Sequence, residues 1–158
     1  MLMAHFGEDI MRVRIACAVL AALSASAALA QDGATRPETV MVILAHPDDE
    51  LPMAPALSAL ARGGADVRLV FATSGDAGPG VSDFEKGEAL AAARSEEAHC
   101  SATALGLPAP VMLGFGDGKL AAEARGTPED EGLVARLAQE IEATAPDMIV
   151  TWGPDGGY

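Results

Sequence analysis

The chain has 158 residues, and half of them are apolar, enough to enclose the core of one domain. Its 23 acidic residues against 10 Lys and Arg leave a formal charge of −13. That balance argues against nucleic acid and anionic membrane surfaces as partners, because both repel a chain of the same sign.

The first thirty residues carry an export pattern rather than a fold. Arg12 and Arg14 make a short basic region, residues 15–29 are uncharged and small or apolar, and Ala28-Leu29-Ala30 offers an A-x-A cleavage site before Gln31. The apolar run of 15 residues falls short of the ~20 that a bilayer-crossing helix needs. The expectation is a signal peptide over 1–30, a mature domain over 31–158 exported to the periplasm or beyond, and no stable membrane span after cleavage. An uncleaved anchor is the other reading. Cleavage removes Glu8, Asp9, Arg12 and Arg14 together, so the mature part keeps a charge of −13. It also removes Cys17, leaving Cys100 as a lone cysteine, read as a small buried helix residue.

After a polar lead-in, residues 39–45 form a continuous β-branched and aliphatic run and predict a strand buried on both faces. Residues 52–62 are rich in Ala and Leu and predict a helix closed by Gly63-Gly64. Asp66–Thr73 (DVRLVFAT) reads as a second strand, and the turn formers SGDAGPG follow it. A long alanine-rich helix is expected over 83–105, stopped by Gly106 and Pro108, then a short strand over Val111–Phe115 and a turn, GDGKL. A third helix is expected over 128–143, capped by Thr127 with Pro128 in its first turn, and a fourth strand over 148–152.

The alternation of strands and helices predicts an α/β fold: a Rossmann-like parallel sheet with helices on both faces, cut off after the fourth strand. Ligand sites in such sheets gather at the carboxyl ends of the strands. Four polar, glycine-rich segments follow strands directly: AHPDDE, TSGDAG, GFGDGKL and WGPDGGY. Their convergence on one edge is a functional expectation from topology alone.

The first of these segments holds a histidine and three consecutive acids. His46 and Asp49 stand three apart across a strand end, and a nitrogen–oxygen donor pair suits zinc better than calcium or magnesium. Asp48, between them, can point at a metal-bound water and act as general base. A positive ion would also offset the crowding of Asp48, Asp49 and Glu50. Pro47 restricts the backbone of His46 to an extended form. The plain alternative is a helix cap at Asp48 or Asp49 and a satisfied polar histidine at a strand end.

AHPDDE after a first hydrophobic strand resembles the signature of the PIG-L/LmbE-like de-N-acetylases, zinc hydrolases with a Rossmann-like fold that act on N-acetylglucosamine-type amino sugars. TSGDAG, RSEEAHCSATALGL, LGFGDGKL and IVTWGPDGGY are similar, in order, to later segments of that family, and together they cover nearly all of residues 40–158. The resemblance implies that His46 and Asp49 bind Zn2+ and that Asp48 is the base. It further implies that Arg94, Asp117 and Tyr158 meet the substrate. An Arg94–Glu97 surface pair, a tight turn at Asp117-Gly118 and a core role for Trp152 remain the alternative readings.

Several features depart from the family pattern. LPMAPA replaces a small, glycine-rich stretch, and Asp76 stands where glutamate is common. The histidine that supplies the family's third zinc ligand would follow Tyr158, so the sequence reads as the amino-terminal part of a longer enzyme. His99 is read as a helix-face residue. The expected activity is a zinc-dependent amidohydrolase, an N-deacetylase whose partner is a small amino sugar or glycoconjugate. A metal-free α/β module that binds a sugar or nucleotide is the rival. A phosphoesterase is disfavoured because no basic, phosphate-cradling loop is present.

Overall fold

In a computed structural model, residues 37–128 and 130–153 are described. The expected leader, residues 1–30, and Tyr158 lie outside them. Among the described residues four strands, β1 (Thr39–Leu44), β2 (Asp66–Thr73), β3 (Val111–Phe115) and β4 (Met148–Val150), form one parallel sheet in the order β3-β2-β1-β4. The helices are α1 (Ala54–Arg62), α2 (Glu88–Leu105), the four-residue α3 (Leu120–Glu123) and α4 (Leu133–Thr144), with a 3-10 turn at Leu51–Met53 ahead of α1. The α/β fold is as the sequence predicts.

Both faces of the central strands are buried, which explains their continuous apolar runs. Val40, Val42 and Leu44 of β1 join Val67, Leu69 and Phe71 of β2 in one cluster with Leu57 of α1 and Ala98 and Ala102 of α2. Met41 and Val70 occupy alternate positions on the same strands and are buried too, so they point to the opposite face. There α4 contacts β1. The placement follows from handedness. Two right-handed crossovers in one direction put α1 and α2 on one face, and the return crossover to β4 puts α4 on the other. Burying Leu57 contributes about 1.5–3 kcal/mol relative to its exposure.

The strand order fixes where a ligand can bind. The chain moves outward from β1 to β2 to β3, then returns to the other side of β1 as β4. The crevice at such a reversal opens outside the carboxyl end of β1, where AHPDDE emerges.

Two helix starts differ from expectation. α2 begins at Glu88 rather than at 83, because Gly87 sits at φ +122° and its N–H donates to Asp76 O at 2.8 Å, tying the loop back toward the sheet edge. α4 begins at Leu133 rather than at 128. Thr127 caps a local turn instead, its hydroxyl accepting the Asp130 N–H at 3.1 Å. Gly126 and Gly132 then cross so closely that a Cβ on Gly126 would lie 2.3 Å from Gly132 N. The GDGKL turn holds α3, and β4 ends at Val150, two residues early.

Candidate active site at the carboxyl end of β1

The chain leaves β1 through a tight turn. Asp49 N–H donates to His46 O at 3.4 Å, Pro47 takes the second position and Asp48 the third with φ +92°. Proline followed by a positive φ is the pattern of a type II turn, whose third position favours glycine. An aspartate there is strained by about 1–3 kcal/mol, and such strain persists only where the surroundings hold it. It falls on the residue expected to be the base.

The His46 ring lies between two carboxylates. Nε2 is 3.1 Å from Asp117 Oδ1, and Nδ1 is 3.5 Å from Asp49 Oδ2. Asp117 is itself fixed: its N–H donates to Asp76 Oδ1 at 3.0 Å, and its Oδ2 accepts the Ala77 N–H at 3.3 Å. A neutral ring that gives its Nε2 proton to Asp117 turns the Nδ1 lone pair toward Asp49. Two donor atoms of a tetrahedral zinc site, one nitrogen and one oxygen, stand about 3.4 Å apart for bonds near 2.1 Å. The Nδ1–Oδ2 separation and the donor chemistry fit such an ion. Among the described residues, no group of three or more His, Cys, Asp or Glu that could hold a metal is found.

Asp48 faces the open side. Its side chain keeps 60% of its surface exposed, and Oδ2 accepts a 2.8 Å hydrogen bond from Arg94. Partial withdrawal from water holds its carboxyl above the usual aspartate range. The Arg94 guanidinium pulls the other way, the charges of Asp49 and Glu50 add to the rise, and His46 opposes it. Arg94 reaches the turn from α2, also donating to Pro47 O at 2.6 Å and Gly78 O at 2.7 Å. The glycines of the second loop make room for it, since a Cβ on Gly75 would stand 2.7 Å from Arg94 Nε. A cleft of about 230 Å³ opens beside these groups, bordered by Asp48, Gly78, Val81, Phe84, Arg94 and Glu97.

The structure therefore brings together five of the six expected site residues: His46, Asp48, Asp49, Arg94 and Asp117. The sixth, Tyr158, lies outside the described residues. The helix-cap alternative for the acids fails, since neither the 3-10 turn nor α1 has a side-chain cap and Asp49 Oδ2 instead accepts the His46 N–H at 2.9 Å. Arg94 turns to the HPDDE loop, away from the surface pair considered with Glu97. Asp117 serves both readings, because Lys119 N–H closes a turn onto Gly116 O at 3.0 Å while the carboxylate meets His46. His99 lies on an exposed helix face with Nδ1 2.8 Å from Ser95 O, and Trp152 packs against the core. Cys100 corrects the sequence reading: it is exposed, because α2 buries the Leu90, Ala98 and Ala102 stripe and Cys100 falls off it.

One buried residue of the turn had no assigned task in the sequence. Glu50 is 1% exposed, and its carboxyl accepts the Asp48 N–H at 3.0 Å and the Ser101 hydroxyl. The only sequence signal was a third acid next to two others.

Comparison with known proteins agrees with the geometry. The family model described as GlcNAc-PI de-N-acetylase (PIG-L) matches residues 41–157. A 1D-myo-inositol 2-acetamido-2-deoxy-alpha-D-glucopyranoside deacetylase of Nakamurella multipartita is 35% identical over 147 residues, covering 77% of this chain and 50% of the relative. Its namesake from Corynebacterium diphtheriae is 31% identical over 134 residues, covering 75% and 46%. The chain thus spans about half the length of the curated relatives it matches. Among solved structures, N,N'-diacetylchitobiose deacetylase from Pyrococcus horikoshii superposes with a TM-score of 0.60 at 25% identity, covering 77% of this chain and 44% of that one. A conserved protein from Thermus thermophilus gives 0.53 at 28% identity, covering 70% and 44%. With its fold, its HPDDE turn and a family match across most of its length, the chain belongs to the GlcNAc-PI de-N-acetylase (PIG-L) family.

Proposed function

We propose that the protein is a zinc-dependent hydrolase that removes the N-acetyl group from an N-acetylglucosamine-type sugar or glycoconjugate. The observation that carries the reading is the convergence of His46, Asp49 and the strained Asp48 at the sheet's reversal point, with Arg94 and Asp117 closing around them. The names of three of these four similar proteins, all deacetylases, support the choice of reaction over a metal-free binding module.

His46 and Asp49 would hold the zinc together with a third protein ligand, since a catalytic zinc takes three. When bound, zinc supplies Lewis-acid polarisation of the acetyl carbonyl and a lowered pKa for the attacking water. Asp48 accepts that water's proton as its oxygen adds to the carbonyl carbon. The same carboxyl returns a proton to the sugar nitrogen as the C–N bond breaks, giving acetate and a free amine. Arg94 borders the cleft where the sugar would lie, Asp117 lies against His46, and both are assigned, with Tyr158, to the substrate site. We also propose export by the 1–30 leader, which places the mature amino terminus at Gln31.

The test is metal analysis paired with an assay for freed amine on the whole protein. Asp49→Ala is expected to lose zinc. Asp48→Asn is expected to retain zinc and lose most turnover. Equal zinc loss in both variants would overturn this division of roles.

A further inference from the structure

The peptide that joins Pro47 to Asp48 is gripped at both of its polar ends. Its carbonyl, Pro47 O, accepts from Arg94 at 2.6 Å; its N–H, on Asp48, donates to Glu50 Oε2 at 3.0 Å. Glu50 is almost wholly buried, and its other oxygen is held by the Ser101 hydroxyl. Arg94 and Ser101 both stand on α2, seven residues or about two turns apart, so one face of one helix fixes both ends of this peptide. The orientation matters because it is the strained one. Rotating this single peptide by half a turn would convert the type II turn to type I and return Asp48 to negative φ. It would also take the carbonyl from Arg94 and the N–H from Glu50.

We propose that Glu50 is a positioning residue: by accepting the Asp48 N–H it holds the Pro47–Asp48 peptide against relaxation, and so aims the Asp48 carboxylate into the cleft. The proposal rests on the reading of Asp48 as the base. It assigns Glu50 a hydrogen-bonding task rather than a general contribution of negative charge. The distinction is testable because glutamine offers the same acceptor without the charge, whereas methionine matches the volume and offers none.

The experiment compares Glu50→Gln, Glu50→Met and Ser101→Ala in the zinc-loaded whole protein, with N-acetylglucosaminyl inositol as the probe substrate. Glu50→Gln is expected to stay within about threefold of wild-type kcat. Glu50→Met is expected to lose about a hundredfold, the scale of a misplaced catalytic group. KM and zinc content should stay within about twofold in both. Ser101→Ala, which frees one end of the buried carboxyl, should cost about three- to tenfold and covers the case in which the methionine variant does not fold. A glutamine variant as impaired as methionine, or a methionine variant with full kcat, overturns the proposal. A second readout needs no turnover. In chelator-treated protein, Asp48→Gly should melt several degrees above Asp48→Ala, since glycine alone adopts the positive φ without strain. That gap should close in the Glu50→Met or Ser101→Ala background. A gap unchanged by both overturns the proposal, and this result is independent of whether Asp48→Asn abolishes activity, which tests the base itself.

Discussion

Gly75→Ala is the substitution from which the most can be worked out. Gly75 has φ +68°, a left-handed conformation that costs an alanine about 1–2 kcal/mol. The added Cβ would stand 2.7 Å from Arg94 Nε and 2.9 Å from Arg94 Cζ, where ordinary contact begins near 3.4 Å. The guanidinium must retreat by roughly 0.7 Å or more, which stretches its 2.6 and 2.8 Å bonds to Pro47 O and Asp48 Oδ2 to or beyond the limit of a useful hydrogen bond. Loss of one charge-assisted contact adds about 1.5–3 kcal/mol, for a total of about 2.5–5 kcal/mol. Gly106→Ala is the matched control: its φ is +77° at the end of α2, nothing lies within 4 Å of the new Cβ, and only the backbone cost of about 1–2 kcal/mol applies. Urea unfolding of the whole protein reads the difference, and steady-state turnover is expected to fall about tenfold or more for Gly75→Ala while Gly106→Ala keeps it. Equal losses of stability in the two variants, with turnover intact in both, would show that Arg94 is not needed where it stands.

The remaining predictions concern charge and packing. In chelator-treated protein, Asp48→Asn should raise stability at pH 7. A carboxyl whose pKa is raised by folding favours the native state less as pH rises from the ordinary aspartate value through the raised one, and the amide removes that loss. The gain should shrink as pH falls through the ordinary aspartate value and vanish about a unit below it, where the carboxyl is neutral both folded and unfolded; a constant gain across pH would refute the linkage. Phe71→Ala, in the middle of β2 and fully buried, should cost about 3–5 kcal/mol in urea unfolding and leave zinc stoichiometry unchanged. Arg68→Ala removes an exposed pair with Asp66 and should move stability by no more than about 0.5 kcal/mol. Asp147→Ala removes one carboxylate oxygen that accepts both the Glu38 and Thr39 N–H groups at 2.9 Å, and should cost about 1 kcal/mol by loosening the start of β1 from the entry to β4.

The sheet was legible because its central strands are largely buried, and a continuous apolar run such as VMVIL in β1 marks the strand by itself. Helix starts were less so. Thr127-Pro128 followed by acids is a sound capping pattern, and what defeated it is a contact between residues six apart, the crossing of Gly126 and Gly132, which no local pattern announces. The residues just before Gly87 lie outside α2 for a related reason. The glycine's positive φ is set by its bond back to Asp76, a loop residue eleven positions earlier. Exposure of Cys100 was illegible because α2 has so little amphipathic contrast: small residues recur on every side of it, and a cysteine among them carries no sign of which way it faces.

The site divides in the same way. His46, Asp48 and Asp49 could be singled out from a strand end and two residue types, because the chemistry proposed for them restricts the choice of side chain. Of the partners that hold them, Arg94 and Asp117 were reached only through the family resemblance, and the contacts of Glu50 not at all. Glu50 reaches Ser101 fifty-one residues away, Arg94 reaches Pro47 across forty-seven, and Asp117 reaches His46 across seventy-one. These distances in sequence are why three adjacent acids looked alike at first. In the fold they are not alike: Asp49 turns inward to the His46 amide and ring, Asp48 turns outward to the cleft, and Glu50 turns back beneath the turn to hold the Asp48 amide. A strand end alone could not send three consecutive carboxyls in three directions; the positive φ at Asp48 is what separates them. On the proposed reading of Asp48 as base and Asp49 as metal ligand, that strained turn is what lets the two neighbouring carboxylates face different ways.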